Sequence, residues 1–327
     1  MATNAPKRPV PKPKNSVIAW LLDSDPAIRW QTMRDLTDAP AEEVAAARAK
    51  VATEGWGAQL LALQGTDGSW PGEWDATMHA LSLLREMGLD PTSDEARRAV
   101  DLVRGRVTWR GWDWDGSWRG PEFDGNPFFA GEVEPCINGQ VGASGAYFGQ
   151  DIQRIVARLL TEQLPDGGWN CETANGSTRS SFHTTICVLE ALLEYELTGG
   201  SNTAVTEVRL RGQEYLLERH LFRRRSTGEV ITDRKADGTD WTRFAFPTWW
   251  HYDMLRGLDY LRRADVRPDE RVAEAIELVA SKRGSDGRWL LEVRHPDQMP
   301  VEMDEVEGQP SRWNTLRALR VLDWYSA

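Results

Sequence analysis

Apolar residues recur at helical spacing along most of the chain, in two kinds of segment. Over 151–162, Ile152, Ile155, Val156, Leu159 and Leu160 fall three and four apart, the mark of a helix with one buried face. Segments 41–53, 94–104, 203–220 and 269–282 are of the same, mostly polar kind. Between them lie segments that are apolar over more of their circumference: 25–38, 75–87, 136–148, 181–197, 249–263 and 311–325. In 181–197, Ile186, Val188, Leu189, Leu192 and Leu193 leave little polar surface, as expected of a helix covered on several sides. No alternation of period two runs long enough to predict a sheet. The pattern predicts an all-α chain in which broadly apolar helices alternate with more polar ones.

Local signals set the boundaries. Asp25 before Pro26, Ser180 or Ser181, and Ser311 after Pro310 are helix-start signals. Asp67-Gly-Ser-Trp70, Asp115-Gly-Ser-Trp118, Asp166-Gly-Gly-Trp169 and Asp286-Gly-Arg-Trp289 each place an Asp-Gly turn after an amphipathic stretch. A degenerate turn occupies 226–230. The phrase returns about every fifty residues, the signature of a repeat whose hairpins bury their faces by stacking. With six broadly apolar helices, the expected fold is a stack of six helical hairpins, these helices inside and the more polar ones outside. It is expected to run as a single domain over 16–327, behind a disordered, basic, Pro-rich arm at 1–15.

Composition narrows the function. Of 327 residues, 40% are hydrophobic and 27% charged, enough to build a large core. Fifty acidic against 39 basic residues leave a net charge of −11, which argues against a nucleic-acid surface. Cys136, Cys171 and Cys187 are too few for a disulfide framework, so a cytoplasmic location is expected. No apolar run is long enough to be a transmembrane segment, and the N-terminus lacks the apolar stretch of a signal peptide.

Two turns carry a longer phrase, Gln64-Gly-Thr-Asp-Gly-Ser-Trp70 and Gln163-Leu-Pro-Asp-Gly-Gly-Trp169; Trp112 and Arg283 replace the glutamine in two others. This resembles the Gln-Trp (QW) repeat of squalene and oxidosqualene cyclases and the glycine-rich repeat of protein prenyltransferase β subunits, both α/α toroids. The resemblance implies an all-α (α/α)6 toroid, a barrel of six helical hairpins in inner and outer rings, and chemistry of the terpenoid cyclase class. Squalene cyclases protonate their substrate with an Asp-x-Asp-Asp acid, of which the nearest phrase here is Asp113-Trp-Asp115-Gly116, overlapping a turn. The chain also has half the length of a two-domain triterpene cyclase, which argues against squalene itself.

In such a ring, equivalent helix starts converge at one mouth. Aligning the inner helices on their leucines brings Asp75, Cys136, His183 and His251 to the first turn of four of them, with Trp313 on the sixth. Cys136, His183 and His251, joined by Cys171, Asp253 or Asp75, make a donor set suited to Zn. By place in the fold this is similar to the zinc site of protein prenyltransferases, although their Asp-x-Cys spacing is not found. Asp75, Asp253 and Asp115 are the candidate catalytic acids or bases. Trp74, Phe182, Trp250, Tyr252, Trp313 and Asn138 are the expected substrate pocket, whose rings suit a developing carbocation. Cys187 and His79 are expected in the core, and His220 and His295 at the surface. Arg179, Arg243 and Arg312 lie near the same end and suit an anionic group. Segments 118–135 and 222–247 are expected to fold over the ring as lids.

The expected function is therefore a cyclase- or prenyltransferase-like enzyme for a small or isoprenoid-like apolar substrate, with a mononuclear Zn-type site. The alternatives are a metal-independent, acid-initiated cyclase and a non-catalytic toroid that binds a lipid or peptide.

Overall fold

The computed structural model describes residues 13–110, 124–200, 202–231, 240–295 and 299–326. Among these the secondary structure is almost wholly helical. In chain order the α-helices are α1 (Asn15–Leu22), α2 (Pro26–Leu36), α3 (Ala41–Ala49), α4 (Gly55–Ala62), α5 (Ala76–Met87), α6 (Asp94–Arg106), α7 (Pro135–Tyr147), α8 (Gln153–Thr161), α9 (Phe182–Tyr195), α10 (Thr203–Leu217), α11 (Met254–Arg263), α12 (Glu270–Ser281) and α13 (Arg312–Ser326). Trp289–Leu290 and Pro310–Ser311 pair as two very short antiparallel strands. No described helix is long and apolar enough to cross a membrane.

The chain forms two compact units. The first comprises Met1–Ala47, Gln213–Pro296 and Met303–Ala327; the second comprises Arg48–Gly212 and Asp297–Glu302. In the first unit α13 packs against α2, α11 and α12. In the second, α7 lies along α9 and also meets α5 and α8. Gly139 permits the close approach of α7 to α9, since a Cβ there would stand 2.6 Å from the carbonyl oxygen of Cys187.

Helix starts follow local chemistry. Asp25, Ser93, Ser181, Asp253 and Asp269 each accept a backbone N–H of the helix they precede. The repeated turn has one construction in three places. Trp70, Trp169 and Trp289 donate their indole N–H to the carbonyls of Leu60, Leu159 and Val279, at 2.7, 2.8 and 2.7 Å. Their backbone N–H groups donate to the hydroxyls of Thr77, Thr185 and Thr315. Gln64 and Gln163 tie the turn to α6 and α10, donating to Gly68 and Ala99 and to Gly167 and Val208. In each turn the Asp-Gly glycine has a positive φ, 86° at Gly68, 97° at Gly167 and 89° at Gly287.

Most expected helices appear within a residue or two. The largest departure is at 249–263, whose helix begins only at Met254. Trp249 has φ 49°, outside helical geometry, and Asp253 caps the helix. Trp250, His251 and Tyr252 therefore precede α11 and do not form its first turn. Helices α1 and α4 add elements that the periodicity had not singled out. The Asp113 and Asp115 phrase, most of the arm expected at 1–15 and parts of both expected lids lie outside the described residues.

Candidate functional site

The second unit gathers three donor side chains, two of them at the start of α7. Pro135 occupies the first helical position, where its fixed φ suits helix entry and its missing N–H costs nothing. Glu134 precedes it and Cys136 follows it. Cys171 opens a short 3-10 turn just after the Trp169 anchor. The Cys171 thiol lies 2.8 Å from that of Cys136, and Cys136 donates to Glu134 Oε2 at 3.4 Å. Ligand atoms of Glu134, Cys136 and Cys171 all lie within 4.8 Å of one another. Thr184, in the first turn of α9, holds Cys171 by accepting its backbone N–H at 3.4 Å, with its hydroxyl 3.5 Å from the thiol. The adjoining Cys171 thiol and burial push the Cys136 thiol well above the usual range.

Of the four expected metal ligands, the structure thus brings together Cys136 and Cys171 and adds Glu134, which the sequence reading missed. The signal was present: Glu134-Pro-Cys136 is a carboxylate-x-Cys spacing with glutamate where aspartate was sought. His183 sits half-buried in the first turn of α9 and is not in the cluster. Asp75, beside α5, has its carboxylate 3.7 Å from His79, a buried ring one turn along. Cys187 is buried in the core, as expected.

Two expected pocket residues of this unit differ in exposure. Trp74 is 53% exposed. Asn138 is buried, but its amide is spent on the loop before α7, accepting from Glu132 N–H at 2.8 Å and donating to the Glu132 carbonyl at 2.7 Å. It fastens the chain entering α7. Phe182 is buried at the start of α9.

The first unit holds the remaining candidates. Asp253 is fully engaged, with Oδ1 accepting from Arg256 N–H at 2.8 Å and Oδ2 from Ala245 N–H at 3.2 Å. Burial pushes its carboxyl above the usual range, opposed by Arg317 and by these N–H groups. Tyr252 donates its hydroxyl to the Leu221 carbonyl at 2.7 Å, so both residues clamp backbone. His251 stacks on His295, ring centroids 3.6 Å apart and planes 4° apart, and Trp250 stacks on His251 at 3.7 Å. His295, expected at the surface, is only 8% exposed because this stack covers it. Trp313 lies buried against Phe246 with centroids 4.3 Å apart. Arg243 and Arg312 donate to the carbonyls of Glu292 and Asp23.

One further acid emerges in this unit. Glu305, buried, accepts with Oε1 from Arg312 N–H at 3.0 Å and Trp313 N–H at 3.4 Å. Its Oε2 is buried without a hydrogen-bond partner among the described residues. Burial pushes its carboxyl above the usual range, against the pull of Ser311 and the two N–H groups. No sequence signal marks it, because it reaches α13 from a loop.

No protein-family model matches the chain, and no curated protein does. Among solved structures the chain is similar to the type II terpene cyclase MstE from Scytonema, in its apo form: 19% identity over 94% of this chain and 95% of that one, TM-score 0.46. A variant of that cyclase in complex with merosterolic acid A, its product, is 18% identical over 95% of both chains, TM-score 0.47. A variant in complex with geranylgeranyl dihydroxybenzoate, its substrate, is 18% identical over 95% of both chains, TM-score 0.45.

Proposed function

We propose that the chain is a terpenoid cyclase- or prenyltransferase-like enzyme that acts on an isoprenoid-like apolar substrate at a Zn-type site held by Glu134, Cys136 and Cys171. The observation that carries this reading is the convergence of two thiols and a carboxylate. Two sulfurs and one oxygen suit zinc, and three protein donors leave a fourth position for substrate, thiol or water. Tetrahedral zinc with bonds of about 2.3 Å would hold its two sulfurs roughly 3.7 Å apart. At 2.8 Å, Cys136 and Cys171 would have to open by about an ångström. The Cys171 turn is short and surface-lying, so it is the side able to move. Zinc bound there would polarise an electrophile or activate a thiolate. His183, one residue before Thr184, is the nearest expected ligand along α9, and His251 is not used. The closed ring of six hairpins belongs to the same reading and is supported by the common construction of the turns at Trp70, Trp169 and Trp289.

The test is elemental analysis of tag-free protein purified under reducing conditions. About one zinc per chain, lost in Cys136→Ala and in Cys171→Ser, is the expected result. Wild-type protein without metal, or with metal that survives both substitutions, overturns the site.

A second reading, metal-independent acid-initiated cyclisation, is favoured by Glu305. Its upward-shifted carboxyl and the adjoining Trp313–Phe246 stack combine a proton donor with rings suited to a cation. Activity that survives chelation and disappears in Glu305→Gln would select it.

A further inference from the structure

Cys136, Gln140 and Ser144 follow one another at four-residue intervals along α7. Each such step turns the helix by about 40° and advances about 6 Å. The three side chains therefore fall within roughly 80° of one face, Gln140 about one turn and Ser144 about two turns beyond Cys136. The opposite side of α7 is closed. A Cβ on Gly145 would stand 2.5 Å from Ile152 and 3.1 Å from Phe129, and one on Gly142 would stand 3.3 Å from Ile155.

Gln140 is 6% exposed and Ser144 1% exposed. Gln140 Oε1 and Ser144 Oγ are buried without a hydrogen-bond partner among the described residues. A buried acceptor left unsatisfied costs about 1–3 kcal/mol, so stability alone would favour methionine and alanine at these positions. Ser144 does not even use the carbonyl four residues back, the usual resort of a serine within a helix. Two uncompensated polar groups on the face that carries Cys136 are the mark of a face completed by a ligand.

We propose that Gln140 and Ser144 form a subsite for the polar group of an oxygenated isoprenoid. This rests on the reading of the Cys136 end of α7 as the substrate-facing end. Gln140 Oε1 only accepts, so a ligand that donates, as an alcohol does and a hydrocarbon does not, satisfies it. The serine hydroxyl serves either role. A purely hydrocarbon ligand would leave both groups unpaired and be discriminated against for that reason.

Farnesol and β-farnesene share a carbon skeleton; the hydrocarbon has a fourth double bond and no hydroxyl. Their binding to the full chain is to be followed by quenching of tryptophan fluorescence. Wild-type protein is expected to bind farnesol at least about tenfold more tightly than β-farnesene, a difference of about 1.4 kcal/mol. The double variant Gln140→Met, Ser144→Ala is expected to lose this preference while keeping or raising its melting temperature. An unchanged preference, no binding of farnesol by wild type, or a fall in melting temperature that marks the pair as structural, each overturns the proposal. Protein that lacks zinc yet prefers farnesol defeats the metal reading and leaves this one standing.

Discussion

Trp169 spends both of its N–H groups inside the turn that it closes, the indole on Leu159 and the backbone on the Thr185 hydroxyl. Thr185→Val keeps the shape of the side chain but leaves a buried N–H unpaired. It is expected to cost about 1–3 kcal/mol in urea denaturation. A loss below half a kilocalorie would show that the bond is dispensable. The Asp-Gly-x-Trp phrase was legible in the sequence because its turn is made by neighbours. The threonines were not, because they stand 7, 16 and 26 residues downstream of their tryptophans, across loops of different length. Glu134 was missed for a narrower reason, the expectation of aspartate at that spacing.

At the level of elements, start signals were read well wherever one residue caps its own helix, as Asp25 and Ser181 do. The late start of α11 shows the limit. The periodicity places Asp253 inside a helix, as a catalytic candidate, whereas it caps that helix and ties down Ala245. Asp253→Ala is expected to lose about 1–2 kcal/mol of stability, the usual range for a lost N-cap, and Asp253→Asn clearly less. Chemical denaturation of both variants checks the order. Equal losses would point to a role for the charge itself.

Across the first unit, a network of buried charge links α2, α11 and α13. Arg320 meets Asp35 and donates to Gln31 at 2.9 Å, and Arg262 donates to Asp259 at 2.9 Å. Burial works against ionisation of Asp259, but Arg262, Arg320 and Arg317 outweigh it and hold the carboxyl down at about 2. A depressed carboxyl binds fewer protons folded than unfolded. Its stabilisation is therefore present above the unfolded value near 4 and fades as pH falls towards 2. On the order of 2 kcal/mol should be lost over that window, and Asp259→Asn should flatten this part of the profile. Glu305 has the opposite sign. Its raised carboxyl contributes fully below the unfolded value and loses that contribution as pH rises through the folded one. Stability curves against pH for wild type and Asp259→Asn separate the two effects; a profile flat below pH 4 in wild type would contradict the network.

The sequence by itself determined the helical class, the alternation of broad and narrow apolar faces and the repeated turn. These depend on periodicity and on residues a few positions apart, and such interactions act before the chain is folded. The convergence of Glu134, Cys136 and Cys171, the burial of His295 under His251 and the unpartnered groups of Gln140, Ser144 and Glu305 were decided by tertiary structure. Apart from the Glu134-Pro-Cys136 spacing, each depends on which atoms a distant segment brings close or keeps away from water, and no local pattern encodes that.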